Sequence, residues 1–273
     1  MNRARQANPR RSKRKRLIVL WQLLLAAAIL GSWQALSSAG LLDKFFFSRP
    51  SDIFGRVADW IWTGSVWSHL LVTLEEAFLS FALGVTAGIL CGFVLARVRF
   101  LSDLLNPYIR VLNSLPRVVL APIFLLWFGL GIWSKVALGV TVVFFIVFFN
   151  TYQGVREVDP VVLNNARMLG ASERQLVRHV LIPSALTWIF SSLHISIGFA
   201  IIAVVVGEYL GASHGIGYLI SQAEGVFDTT GVFAGMVVLS AVVLLIGMGV
   251  NRLEVWLLRW KPDAAGAALN EVA

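Results

Sequence analysis

Five stretches of this 273-residue chain each run for at least 20 residues without an Asp, Glu, Lys or Arg: 17–42, 77–96, 136–155, 184–207 and 229–251. A helix that crosses a bilayer needs about 20 mostly apolar residues, and each stretch meets that length. A sixth stretch, 118–134, has only 17 residues. It reaches spanning length if it extends back towards Tyr108, past Arg117 and Arg110. Pro116 and Pro122 then predict a kinked or broken helix in this third span. The expected fold class is an all-α membrane protein with six transmembrane helices.

Composition excludes the other classes. Hydrophobic residues make up 58% of the chain and charged residues 14%, against about 25% charged in soluble domains. The single cysteine, Cys91, rules out a disulfide scaffold. A net charge of +8 would suit a nucleic-acid binder, but eight basic residues crowd into the first 16 positions and the rest border apolar runs. That is topology charge, so no nucleic acid is expected as partner and membrane lipid is. With the N-terminus inside, 19 Lys and Arg fall on the cytoplasmic side, while Lys44, Arg49, Arg56 and Lys135 fall outside. Both termini are therefore expected in the cytoplasm of the cell (inner) membrane. The division that follows is a basic tail 1–16, a six-span domain 17–260 with a cytoplasmic loop 154–183, and a tail 261–273. Both tails are expected to be unstructured. The first run is too long for a signal-peptide core, and no A-x-A site follows it. A short amphipathic helix is expected after Pro50 in the external segment 43–70.

The loop is the most informative stretch. Asp159-Pro160 is a helix start, with Asp as N-cap and Pro in the first turn. Gly170 can close that helix in a left-handed cap. Ser172 and Gln175 form a capping box, which starts a second helix running into Pro183. Val162, Leu163, Met168, Leu169 and Ala171 are apolar beyond the needs of a solvated linker. Two readings stand: these side chains pack on the protein's own span ends, or they dock into a partner's groove.

Asn164-Asn165-Ala166-x-x-x-Gly170, followed by Leu181-Ile182-Pro183, resembles the E-A-A-x-x-x-G loop of binding-protein-dependent ABC transporter permeases. The chain departs at Asn164 and Asn165, where Glu and Ala are usual. The resemblance covers roughly 45–260, and its branch is the nitrate/sulfonate/taurine type. Phe47-Ser48-Arg49-Pro50-Ser51, Leu115-Pro116 through Ala121-Pro122 and Leu126-Trp127-Phe128-Gly129-Leu130-Gly131 carry it. So do Asn150-Thr151-Tyr152-Gln153-Gly154-Val155-Arg156, Gly207-Glu208-Tyr209 and Gly215-Ile216-Gly217-Tyr218-Leu219-Ile220. The resemblance implies a type I importer permease for a small anion-like solute. Its partners would be ABC ATPase subunits, a periplasmic or lipoprotein substrate-binding protein and a second permease copy, most simply as a homodimer. It also implies that Asn164, Asn165, Ala166, Leu169, Gly170, Ala171 and Pro183 form the ATPase coupling loop.

No Lys follows a Gly, so the chain has no G-x-x-x-x-G-K phosphate loop, and energy must come from a partner. His69, His179, His194 and His214 are scattered without metal-ligand spacing. Glu75 and Glu76 fall on different faces of a helix, and no carboxylate dyad or nucleophile is expected. No cofactor, metal or catalytic residue is predicted, and the chain is not expected to be an enzyme. Ser191, Ser192, His194 and Ser196 give the fifth span a polar side, which either lines a pathway or bonds between helices. Glu208 at its outer end either sits solvated at the interface, or lines the pathway or braces the external gate. Gly84, Gly88 and Gly92 lie on one helical stripe and predict a close-packing face. Two other classes stay open. One is a membrane-embedded scaffold that merely recruits a partner. The other is a secondary transporter, which would ordinarily place ionisable coupling residues at the midplane, and these are missing from the five uncharged runs.

Overall fold

The computed structural model describes residues 9–257, and among them there is no strand. Among the described residues five helices are long and apolar enough to cross a membrane, and there are six if one bent pair counts as a single broken span. The first is α1, Pro9–Ser38, which already runs helically through 9–16 where an unstructured tail was expected; residues 1–8 and 258–273 lie outside the described residues. Its apolar stretch is largely uncovered, with Leu17, Trp21 and Leu24 each at least half exposed. Only its end is anchored. The buried Ser37 hydroxyl donates to Ser48 O at 2.9 Å, and Gln34 Oε1 accepts from Ser51 N at 3.1 Å.

The segment between the first two spans folds as α2, Lys44–Phe47, and α3, Pro50–Trp62. Pro50 stands in the first turn of α3, where its missing N–H costs nothing. The span α4, Ser65–Arg97, follows. The third span is broken, as its prolines predict. It consists of α5, Arg99–Ser114, then a 3₁₀ turn, Arg117–Leu120, and α6, Ala121–Phe128, with a bend of 89°. Leu115 precedes Pro116 and is forced into extended backbone at ψ 131°, which ends α5. The freed carbonyls find a donor in Arg117, whose Nη1 lies 3.0, 3.1 and 2.7 Å from the oxygens of Leu112, Asn113 and Leu115. Its guanidinium also sits 4.6 Å from the centre of the Phe145 ring. The third span ends at Phe128 and not at Ser134, because Gly129 and Gly131 open a new turn and Ile132 starts the next helix.

That helix is α7, Ile132–Arg156, followed by α8, Pro160–Met168, and α9, Glu173–Leu176. A π turn, Val177–Leu181, passes directly into α10, Ile182–Leu210. Pro183 therefore does not stop the second loop helix. The wider π turn takes up the bond and the space that a proline ring denies to an α-helix. A short helix α11, Ile216–Gly225, which the sequence reading did not foresee, precedes the last span α12, Thr229–Leu257.

Three stripes of four-residue period hold α4, α7 and α10 together. They are Glu76-Ser80-Gly84-Gly88-Gly92, Lys135-Gly139-Val143-Val147-Thr151 and Ser192-Ser196-Ala200-Val204-Glu208, and every member is buried. Rows at this spacing are the ridges by which helices interdigitate. Glycine is required on α4, since a Cβ at Gly84 would lie 2.7 Å from Val143 Cβ and one at Gly92 2.7 Å from Phe148 O. The predicted packing face is thus the α4–α7 seam. Ser192 and Ser196 face this core, whereas Ser191 and His194 lie exposed on another side of α10.

Candidate functional site

Two constellations stand out, one at each end of the core. The first is the loop between α7 and α10. Asp159 caps α8 by accepting from Val161 N at 2.8 Å. The chain reverses at Gly170, whose φ of +83° lies in the left-handed region that side chains avoid. Ala171 N donates back to Ala166 O at 3.0 Å and Gly170 N to Arg167 O at 2.9 Å, which closes the helix end. The capping box is present: Ser172 N donates to Gln175 Oε1 at 2.8 Å and Gln175 N to Ser172 Oγ at 3.4 Å. Glu173 ties the loop down through Arg97 at 3.0 Å and Arg167 at 3.3 Å.

The apolar loop residues divide between the two readings. Leu163 packs inward, on a cluster of Val155, Leu181, Ala185 and Ile189. Val162 is exposed, and Met168 and Leu169 project almost freely at 85% and 89% exposure. Beside them, Ala166, Leu169, Gly170, Gln175 and His179 border a shallow hollow of about 310 Å³. Asn164 and Asn165 are exposed on α8, Ala171 is half-buried, and Pro183 sits in the first turn of α10.

The second constellation is buried at the opposite end. Glu208 is 1% exposed, so it is not a solvated interfacial acid. Its Oε1 accepts from Thr73 Oγ1 at 2.6 Å and its Oε2 from Gly217 N at 2.7 Å, while Thr73 Oγ1 also accepts from Ile216 N at 2.9 Å. Glu208 therefore joins α4, α10 and the segment leading into α11. Gly217 has to be glycine, because a Cβ there would lie 2.8 Å from Glu208 Cβ. The Glu76 carboxyl faces that of Glu208, and Lys135 is within electrostatic reach of both. Lys135 is 1% exposed, and its Nζ donates to Leu130 O at 2.6 Å and Gly131 O at 3.1 Å.

This cluster corrects one expectation. A carboxylate pair does exist, assembled from helices distant in the chain and not from the adjacent Glu75 and Glu76. Glu76, Lys135 and Glu208 each lie just beyond an uncharged run, where α4, α7 and α10 extend past it at this end of the core. The signal was the stripe itself. Continuing Gly84-Gly88-Gly92 backwards in steps of four reaches Ser80 and then Glu76.

The family model described as "Binding-protein-dependent transport system inner membrane component" matches residues 84–261. A putative aliphatic sulfonates transport permease of Bacillus subtilis is 32% identical over 253 residues, 93% of this chain and 92% of that protein. A formylaminopyrimidine transport permease of Halalkalibacterium halodurans is also 32% identical, over 90% of this chain and 92% of that protein. A crystal structure of an amino acid ABC transporter with histidines superposes with a TM-score of 0.58 over 74% of this chain and 96% of that one. Its 21% identity speaks for the fold alone. The chain belongs to the inner-membrane component family of binding-protein-dependent transport, as a type I ABC importer permease subunit.

Proposed function

We propose that this chain forms the translocation path of an ATP-driven importer for a small anion. In this reading two copies face each other as a homodimer, since one chain offers six spans and one loop. Separate ABC ATPases dock on 154–183, with Met168 and Leu169 as anchors, and a periplasmic or lipoprotein binding protein delivers the solute. The chain itself is a transport subunit without catalysis. The carrying observation is the Gly170 turn, which presents two large apolar side chains to the outside while Leu163 and the Glu173 bridges hold the loop rigid. Nucleotide-driven movement of the ATPases would reach the spans through α9 and the continuous π turn into α10, by different docking in the two states. At the far end Glu208 braces the outer gate, holding the 215–217 backbone against α4 and α10. The relatives leave the solute open, because proteins of equal identity carry different solutes in their names.

The test is reconstitution in vesicles with the ATPase and the binding protein encoded beside the permease gene. Solute uptake is expected only when all three and ATP are present. Recruitment of the ATPase without flux would favour a scaffold, and flux driven by an ion gradient without ATP would favour a secondary transporter.

Orientation is tested separately. Arg174 is exposed on the loop, and in an Arg174→Cys, Cys91→Ser protein a membrane-impermeant maleimide is expected to react only after the cells are opened. Labelling of intact spheroplasts would reverse the topology, which rests on the positive-inside rule.

A further inference from the structure

The stretch Asn150-Thr151-Tyr152-Gln153-Gly154-Val155-Arg156 carries chemistry that the coupling reading does not use. It closes α7, at the end that leads into α8. Thr151 belongs to the buried stripe facing α4. Gly154 admits Trp188, since a Cβ there would lie 2.9 Å from Trp188 Cβ. Asn150, Tyr152, Gln153 and Arg156 instead line a cavity of about 540 Å³, together with Asn106 and Arg110 of α5. Phe148, Phe149 and Trp188 supply an apolar wall.

Both arginines are held and yet have donors to spare. Arg156 Nη1 donates to Tyr152 Oη at 2.5 Å, and that hydroxyl pairs with Ser102 Oγ at 2.7 Å. Arg110 Nε donates to Asn106 Oδ1 at 2.9 Å. A guanidinium has five N–H donors, so several remain on each. Among the described residues, Arg56, Arg97, Arg99 and Arg167 each reach a carboxylate within ion-pair distance, and neither Arg110 nor Arg156 does. No acidic residue lines the cavity.

We propose that this cavity binds the oxyanion head of a small organic anion, a sulfonate or carboxylate, between Arg110 and Arg156. The planar guanidinium fork matches two oxygens of such a head, and the charge-assisted bonds are roughly twice as strong as neutral ones. The Asn106 amide N–H groups add donors, the Asn150 and Gln153 amides keep one N–H each beside their bonds to Ile146 O and Glu157 Oε1 at 2.8 Å, and the aromatic wall takes an apolar remainder. The site deepens the anion-importer reading and rests on it. It lies at the same end as the coupling loop, where solute would leave towards the cytoplasm. The phosphodiester of an anionic lipid offers the same oxyanion chemistry, and the test separates the two sources.

Full-length permease in nanodiscs of phosphatidylcholine is titrated with sodium methanesulfonate, against sodium chloride at matched ionic strength. Tryptophan fluorescence and thermal unfolding are the readouts. A saturable response specific to methanesulfonate is expected. Arg110→Gln and Arg156→Gln are each expected to weaken it about tenfold or more, the loss of one charge-assisted contact. Arg110→Lys and Arg156→Lys should retain part of it, which separates lost charge from lost folding. No saturable response in the unmodified protein, or responses in both Gln variants as strong as in the unmodified protein, overturns the proposal. Repeating the titration with phosphatidylglycerol in the disc assigns the source. A response that persists places a soluble anion in the site, and one that is competed away places the lipid head group there. Flux through the unmodified complex is read independently, so failure here leaves the importer standing, and failure of the importer does not alter this titration.

Discussion

Lys135→Met is expected to cost the folded permease about 3–5 kcal/mol, the usual penalty for removing one partner from a buried charge cluster. Lys135 is 1% exposed, and its ammonium lies within electrostatic reach of the buried carboxyls of Glu76 and Glu208 without a direct ion pair to either. Methionine fills nearly the same space, so packing barely changes and the electrostatics are isolated. It leaves two facing carboxyls without a cation, and the Leu130 and Gly131 carbonyls without their donor. Glu208→Gln alone should be milder. Its amide oxygen still accepts from Gly217 N, its NH2 can donate to Thr73 Oγ1 with that bond reversed, and one carboxyl remains for the lysine. Adding Glu208→Gln to Lys135→Met should then recover part of the loss, with a coupling of about 1 kcal/mol or more between neighbours in one network. Thermal unfolding of the four proteins in detergent measures this cycle. Equal melting temperatures for Lys135→Met and the unmodified protein would mean that the cluster does not hold this end of the core together.

The spans were legible because bilayer physics acts locally: an uncharged run of at least 20 residues has few other fates. The break in the third span was legible for the same reason, through Pro116 and Pro122. Its sharpness was not, because the bend of 89° depends on Arg117 gathering the loose carbonyls and resting on Phe145 of another helix. The loop's caps were readable one by one, since Asp159, Gly170, Ser172 and Gln175 act within a few residues. Which of its apolar residues face inward was not readable, because Leu163 and Leu169 differ only in what tertiary structure puts beside them. The pathway reading of α10 shows the same limit. Ser191, Ser192, His194 and Ser196 looked like one polar side, yet the two buried serines continue the stripe to Glu208 and the other two residues do not. The Glu76–Lys135–Glu208 cluster is wholly tertiary. Each member lies just outside an uncharged run, where each passes for an interfacial charge, and only the packing of three four-residue stripes brings them together.

That division between local and tertiary signals makes the Gly170 turn a clean place to test coupling. Its geometry is local and its surroundings are empty. Apart from Gly170 and its chain neighbours, no atom lies within 4 Å of where a Cβ at Gly170 would stand, so the Cβ of Gly170→Val meets open space. The substitution brings only backbone strain of about 1–2 kcal/mol at φ +83°, which the exposed α8 can relieve by unwinding its last turn. The spans should be untouched, and the melting temperature of the isolated permease should fall little. Leu169→Asp is the complementary probe. At 89% exposure the leucine supports nothing inside the permease, so the variant should unfold like the unmodified protein. In the assembled importer an aspartate would instead enter an apolar groove without a partner, costing several kcal/mol of docking. The expected result is a permease that inserts normally yet fails to co-purify with its ATPase, with solute flux reduced at least a hundredfold, roughly the effect of 2.8 kcal/mol. Met168→Asp, one position away and nearly as exposed, should act in the same direction. Full ATPase binding and full flux in both Leu169→Asp and Gly170→Val would place the coupling contact elsewhere on the cytoplasmic face.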